Sequence, residues 1–148
     1  MLKLIQLPES LAELKQGTFV YFSMSSLSDL NRRQLGTDGE NAARCWLETQ
    51  GYQCLAQNVY TRQGELDLVM KEGPVLVFVE VKFRRSLRQG HALEAITAAK
   101  QRHLLQAARY YLHKFPHSGP IRFDAVGIQK QADSSLQFTH IKNAIQSD

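Results

Sequence analysis

Cysteine is scarce in this chain of 148 residues: there are two, Cys45 and Cys54. Their separation fits neither the paired-ligand spacing of a zinc site nor the density of a secreted disulfide framework, so free thiols packed in the core and a reducing cytoplasm are expected. Long apolar runs are also missing. A spanning helix needs roughly 20 consecutive apolar residues, and the stretch from Leu2 to Val20 is interrupted by Glu9, Glu13 and Lys15. Neither a signal peptide nor a membrane span is expected. No glycine-rich phosphate loop of the Walker type occurs, which argues against a nucleotide hydrolase. The histidines His91, His103, His113, His117 and His140 show no i, i+4 pair around a glutamate, so a zinc site is not expected either. Internal repeats and low-complexity segments are absent.

What remains is enough for one domain with a real core, since 43% of the residues are hydrophobic. The net charge of +4 is modest, and on its own it selects no partner. Its distribution is more telling. Lys82, Arg84, Arg85 and Arg88 fall close together, and Lys100 and Arg102 open the next helical segment. Such a cluster is either a solvated loop or a surface for phosphates.

The residues that need explaining are ionisable ones on apolar strands. Gly64-Glu65-Leu66-Asp67-Leu68-Val69-Met70 and Val75-Leu76-Val77-Phe78-Val79-Glu80-Val81-Lys82 read as two strands, joined through the turn-forming Lys71-Glu72-Gly73-Pro74. Alternation places Phe78, Glu80 and Lys82 on one face and Val77, Val79 and Val81 on the other, with Glu80 and Lys82 about 7 Å apart. Hairpin pairing brings Asp67 beside Glu80. Two adjacent carboxylates raise each other's pKa unless they share a cation, and an oxygen-seeking divalent ion, Mg²⁺ or Mn²⁺, is the economical remedy.

Around this hairpin the chain reads as α/β. Thr37-Asp38-Gly39-Glu40 has the form of a capping box opening a helix that stops at Gly51, and Tyr52 to Asn58 follows as a strand. A long helix is expected from about His91 to Lys114, ending before Pro116. Strands over Ile121 to Ile128 and Leu136 to Ile141 and a tail of helical character close the chain. The αβββαβ order, with one helix crossing between the third and fourth strands, predicts a mixed central sheet flanked by helices and a right-handed parallel crossover. Residues 1–30 read as an N-terminal extension with a strand-like Thr18 to Phe22, residues 31–148 as the domain proper, and Met24 as an alternative start.

Asp67, twelve residues and then Glu80-Val81-Lys82 resembles the PD-(D/E)XK motif of the restriction-endonuclease-like nucleases, which include archaeal Holliday-junction resolvases. A closer resemblance is to the bacterial YraN family. It is carried by Gly39-Glu40, Ala43, Asn58, Gly64 to Asp67, Phe78 to Lys82, Arg84, Lys100, Ala107-Ala108, Arg122-Phe123-Asp124 and Ile141 to Ala144. Leu66 stands where the superfamily motif has proline, a residue that shapes backbone and binds no metal.

The resemblance implies a metal-dependent phosphodiester hydrolase acting on DNA, branched DNA included, and for branched substrates a homodimer. Asp67 and Glu80 would bind Mg²⁺ or Mn²⁺ with the Val81 carbonyl, and Lys82 would orient the attacking water. Glu40 matches the helix carboxylate that junction resolvases add to the motif, and a ligand role stands beside a capping role. Arg84, Arg85, Lys100 and Gln101 are expected at phosphates.

Plainer readings stand alongside. Glu80 and Lys82 alone would be an ordinary same-face ion pair. Glu65 reads as structural or supporting, Arg122 and Asp124 as partners of each other or as support for the cleft. Trp46, Tyr110 and Tyr111 read as packing, with a rim tyrosine able to stack a base. A second class of function is a nucleic-acid-binding accessory module that keeps the fold and cuts nothing. A third is a structural protein whose carboxylates hold an adventitious ion.

Overall fold

The computed structural model describes residues 21–23, 32–84, 96–133 and 135–145, with the side chains of 21–23, 32–38 and 84 left aside. Its elements run β1 (Tyr21–Ser23), α1 (Arg32–Thr49), β2 (Gln53–Tyr60), β3 (Glu65–Glu72), β4 (Val75–Arg84), α2 (Ala98–Lys114), β5 (Ile121–Lys130) and β6 (Ser135–Ile141). The six strands form one sheet in the order β1-β6-β5-β4-β3-β2. β4 and β5 are parallel, joined through α2, and the other neighbours are antiparallel. This is the αβββαβ core with a mixed sheet that the sequence predicts.

Side-chain alternation gives the sheet two apolar faces, and each takes one helix. Ala42, Ala43, Trp46 and Leu47 form one stripe of α1 and pack on Leu68, Met70, Val77, Val79, Val126, Ile128, Leu136 and Phe138. Leu104, Ala107, Ala108 and Tyr111 of α2 cover the opposite face at Leu66, Val69, Leu76 and Phe78. Trp46 stacks on Phe138 with ring centroids 5.2 Å apart. The layer order is therefore helix, sheet, helix.

Three boundaries differ from expectation. α1 begins at Arg32, so Thr37 to Glu40 lie inside the helix and form no capping box. Helix continues through Gly39, where α1 lies against β4: Phe83 Cδ2 would stand 3.4 Å from a Cβ at that position. α2 begins at Ala98 rather than near His91; Thr97 is its N-cap, its side chain accepting the Lys100 N–H at 3.2 Å. His91 itself lies outside the described residues. After β6 the chain turns instead of becoming helical, held by the Ala144 N–H donating to the Phe123 carbonyl at 2.8 Å. Part of the segment read as an extension joins the sheet, since β1 pairs with β6. The remainder of residues 1–30, Met24 included, lies outside the described residues.

The hairpin turn is tighter than the sequence suggests, with Gly73-Pro74 alone between β3 and β4 and Gly73 at φ 56°. Two irregularities sit at the other end of the hairpin and on its neighbour. β2 shifts register against β3 between Cys54 and Ala56, and Asn58 takes φ 53°. Along β3, Leu68 and Met70 face α1 whereas Leu66 faces α2, which strict alternation forbids. The strand turns over at Asp67.

Candidate metal centre

The turnover at Asp67 opens the sheet where the acidic residues gather. Backbone partners of β3 and β4 run from Glu72↔Val75 to Leu68↔Val79 and stop there. Beyond that point the Asp67 side chain takes over, its Oδ2 accepting the Val81 N–H at 2.8 Å. A side-chain carboxylate thus satisfies a strand donor that a carbonyl would otherwise serve, and Asp67 is held between the two strands at 7% exposure.

Ligand-capable oxygens of Glu40, Glu65 and Asp67 all lie within 4.8 Å of one another. Glu40 comes from α1, about two turns inside the helix, which overturns the capping alternative and leaves its carboxylate directed at the strands. Glu65, read from sequence as a supporting residue, belongs to the cluster itself. Its spacing of two from Asp67 on one strand was the available signal.

Glu80 approaches from β4 and is 6% exposed. Lys100 Nζ lies 3.4 Å from its Oε1. Its Oε2, like Oε2 of Glu40, is buried with no hydrogen-bond partner among the described residues. Such groups are costly to leave in a protein interior.

The electrostatics follow from this crowding. Burial, then the charges of Asp67 and Glu65, push the Glu40 carboxyl up to about 7, against a lowering by the Asn58 side chain. Burial and Asp67 likewise raise Glu80 well above the usual carboxylate range, with Lys100 pulling the other way. Glu65 is raised by burial and by Asp67. Three raised carboxyls thus crowd the negative charge of Asp67, the arrangement that a shared multivalent cation relieves. All the donors are oxygens, the set that suits Mg²⁺ or Mn²⁺ rather than zinc or copper.

The other expected site residues divide. Val81 and Lys82 are half-buried on β4, Lys82 in register with Gly127 of β5. Lys100 reaches the cluster at Glu80, whereas Gln101 turns its amide to the Ile96 carbonyl at 3.1 Å and fastens the approach to α2. The Arg84 side chain, Arg85 and Arg88 lie outside the described residues.

Arg122 and Asp124 do not line this site. Asp124 pairs in register with Val79, whose side chain faces α1, so it points away from Glu80. There it is gripped by Arg122 Nε and Nη2 at 2.7 and 2.8 Å, His140 Nε2 at 2.8 Å and the Asn143 N–H at 3.0 Å. Arg122 also reaches Glu72 at 2.8 Å and the Tyr52 hydroxyl at 3.0 Å. The mutual pairing is the one expected; a supporting role in the cleft is not what this geometry serves.

No helix among the described residues is long and apolar enough to cross a membrane. Proteins of similar sequence occur in distant bacteria. A UPF0102 protein of Chromohalobacter salexigens is 43% identical over 119 residues, covering 80% of this chain and 96% of that protein. One from Symbiobacterium thermophilum is 46% identical over 113 residues, covering 76% and 96%. One from an Enterobacter species is 43% identical over 124 residues, covering 80% and 89%. The uncharacterised protein family UPF0102 matches residues 39–128, a span that holds Glu40, Glu65, Asp67, Glu80 and Lys82. By this match and by these relatives, the chain belongs to that family, the YraN family.

Proposed function

We propose that this protein is a divalent-metal-dependent nuclease that hydrolyses phosphodiester bonds in DNA. The observation that carries the reading is the pair of orphaned buried oxygens, Glu40 Oε2 and Glu80 Oε2, beside Asp67. Buried carboxylates crowded together repel a phosphodiester, so a purely binding module would be weakened by them. With Mg²⁺ or Mn²⁺ they become useful. The ion would be held by Asp67, Glu80, Glu40 and Glu65 with the Val81 carbonyl, and would supply polarisation of a phosphoryl oxygen and acidification of a bound water.

This chain's own residues do the rest. Asp67, tied to the Val81 N–H, sets the distance between β3 and β4 and so the width of the carboxylate cradle. Lys82, next but one to Glu80 on the same strand face, orients the attacking water and offsets charge building on the phosphorus. Lys100 balances Glu80 and meets the phosphate that enters beside it. Arg84 and Arg85 would serve the phosphates of the substrate backbone. Branched substrates would require two sites, hence a homodimer, and the expected setting is the cytoplasm.

The test is cleavage of labelled single-stranded, duplex, flap and four-way-junction DNA with Mg²⁺ or Mn²⁺, beside Asp67→Ala and Lys82→Ala proteins. Cleavage by the native protein and its loss in both variants supports the reading. Salt-sensitive binding without cleavage of any substrate would sink it in favour of an accessory module.

A further inference from the structure

An open cleft of about 580 Å³ lies between the β2–β3 turn and α2, lined by Tyr60, Thr61, Arg62, Gln63 and Tyr110. Its two rings are unusually bare, Tyr60 at 70% exposure and Tyr110 at 40%. No aliphatic side chain lines it, which does not suit a partner helix or a lipid.

The turn is built rigidly. Thr61 Oγ1 accepts the N–H groups of Gln63 and Gly64 at 3.2 and 3.0 Å and donates to the Gly64 carbonyl at 2.8 Å, while the Thr61 N–H donates to the same carbonyl. Gly64 then seats the turn on α2: a Cβ there would stand 2.9 Å from the His103 carbonyl oxygen. His103 and Tyr110, seven residues apart, share one side of the helix. The backbone of the turn is therefore held in place before any ligand arrives.

Charge and position say what the cleft would hold. α2 carries Lys100, Arg102, Arg109 and Lys114 and no acidic residue. Arg62 is exposed on the facing turn, and Lys114 Nζ sits 4.9 Å from the centroid of the Tyr110 ring. The elements that line the cleft also carry the acidic cluster. Glu65 follows Gly64 directly, and Lys100, paired with Glu80, begins the helix that bears Tyr110 about 15 Å further along.

We infer that this cleft is a nucleobase-stacking subsite, in which Tyr60 and Tyr110 take unpaired bases of a DNA strand whose backbone runs along α2 toward the carboxylates. Tyrosine faces accept any base, and the arginines and lysines serve the phosphates without reading sequence. The inference deepens the nuclease reading and rests on it for the choice of DNA.

The test is fluorescence anisotropy of the full chain, in EDTA, with a labelled oligothymidine of about 12 nucleotides and an abasic strand of equal length and charge. The native protein should prefer the base-bearing strand by about tenfold or more. Tyr60→Ala and Tyr110→Ala should each weaken oligothymidine binding about 5- to 100-fold, leave the abasic strand unchanged and melt like the native protein, while Tyr60→Phe and Tyr110→Phe retain binding. Equal affinity for the two strands, or alanine variants that bind like the native chain, overturns the subsite. Because EDTA removes any dependence on metal, tyrosine-dependent binding in a protein that cuts nothing would uphold the subsite while the nuclease reading fails. Cleavage in a protein without tyrosine dependence would do the reverse.

Discussion

The carboxylate of Asp67 is the hydrogen-bond partner of the Val81 N–H, at 2.8 Å, so a single side chain both closes a gap in the sheet and stands among the acidic groups. The two duties separate by substitution. Asp67→Asn keeps an acceptor for Val81 but removes a charge, and should raise the melting temperature in EDTA while abolishing cleavage. Asp67→Ala leaves the Val81 donor without its partner, an effect of about 1–3 kcal/mol opposed by the lost repulsion. Thermal melts of the two variants in EDTA should therefore rank Asn above Ala, and identical melts would show that the bond contributes nothing.

Stability should depend on pH in a way set by the raised carboxyls. Below the ordinary glutamate range both folded and unfolded chains hold the proton, and burial of Glu40 and Glu80 brings no ionisation penalty. Between that range and about 7 for Glu40, and beyond for Glu80, the unfolded chain ionises while the folded one resists. Stability in EDTA should accordingly fall as pH rises from about 4.5 to 8. Melting curves across this range check it, and Glu40→Gln should flatten the dependence.

Divalent ions should reverse that loss. A ligand that binds only the folded chain stabilises it in proportion to the logarithm of its concentration over Kd. Mn²⁺ or Mg²⁺ should raise the melting temperature by several degrees at pH 8 and by much less at pH 5, where protons compete. Glu80→Gln should remove most of the effect. A metal shift that is equal at both pH values would place the ion elsewhere.

Lys100 occupies one oxygen of Glu80 and lies 38% exposed at the mouth of the cluster. Lys100→Met should tighten divalent binding, measured by calorimetry, since a competing cation is gone, and lower the cleavage rate about tenfold or more because a phosphate partner is gone with it. Weaker metal binding in this variant would make the lysine part of the cradle.

Asp124 predicts a purely structural failure. Its side chain is fully buried beneath Arg122 and His140. Burial alone would raise its carboxyl, but His140, Arg122 and the Asn143 N–H outweigh burial and hold it below the usual range. Asp124→Ala should lower unfolding stability by about 3–5 kcal/mol, as removal of one partner from a buried ion pair does. Divalent affinity of the folded fraction should stay native, and the stability that Asp124 supplies should be lost only as pH falls through its depressed value.

Much of the architecture was legible because local chemistry and global fold agree. Gly73-Pro74 marks the hairpin, alternation assigns Phe78 and Val79 to opposite faces, and the strand-helix-strand order after Val75 demands a parallel crossover. The misplaced helix starts have a common cause. Thr37 to Glu40 carries every local sign of a cap, yet lies inside a helix that packs on β4 at Gly39, while Thr97, the actual cap of α2, sits in a sequence without the reciprocal glutamate. At the site, carrying the hairpin register one step past Leu68↔Val79 sets Asp67 near Glu80, but Glu40 lies across a layer of the fold and only the family resemblance points to it. Glu65 shows its closeness to Asp67 in their spacing of two, which does not separate a ligand from a supporting carboxylate.

The irregular β2 has one more effect. Among the described residues it is the outer strand of the sheet on the side away from β1, paired with β3 along one edge. The register shift at Cys54 and Ala56 and the left-handed Asn58 bend that strand out of the flat geometry through which one sheet adds to another. The defect opposite Asp67 thereby discourages edge-to-edge aggregation, and a substitution that straightened it, such as Asn58→Val, would endanger solubility as well as the site.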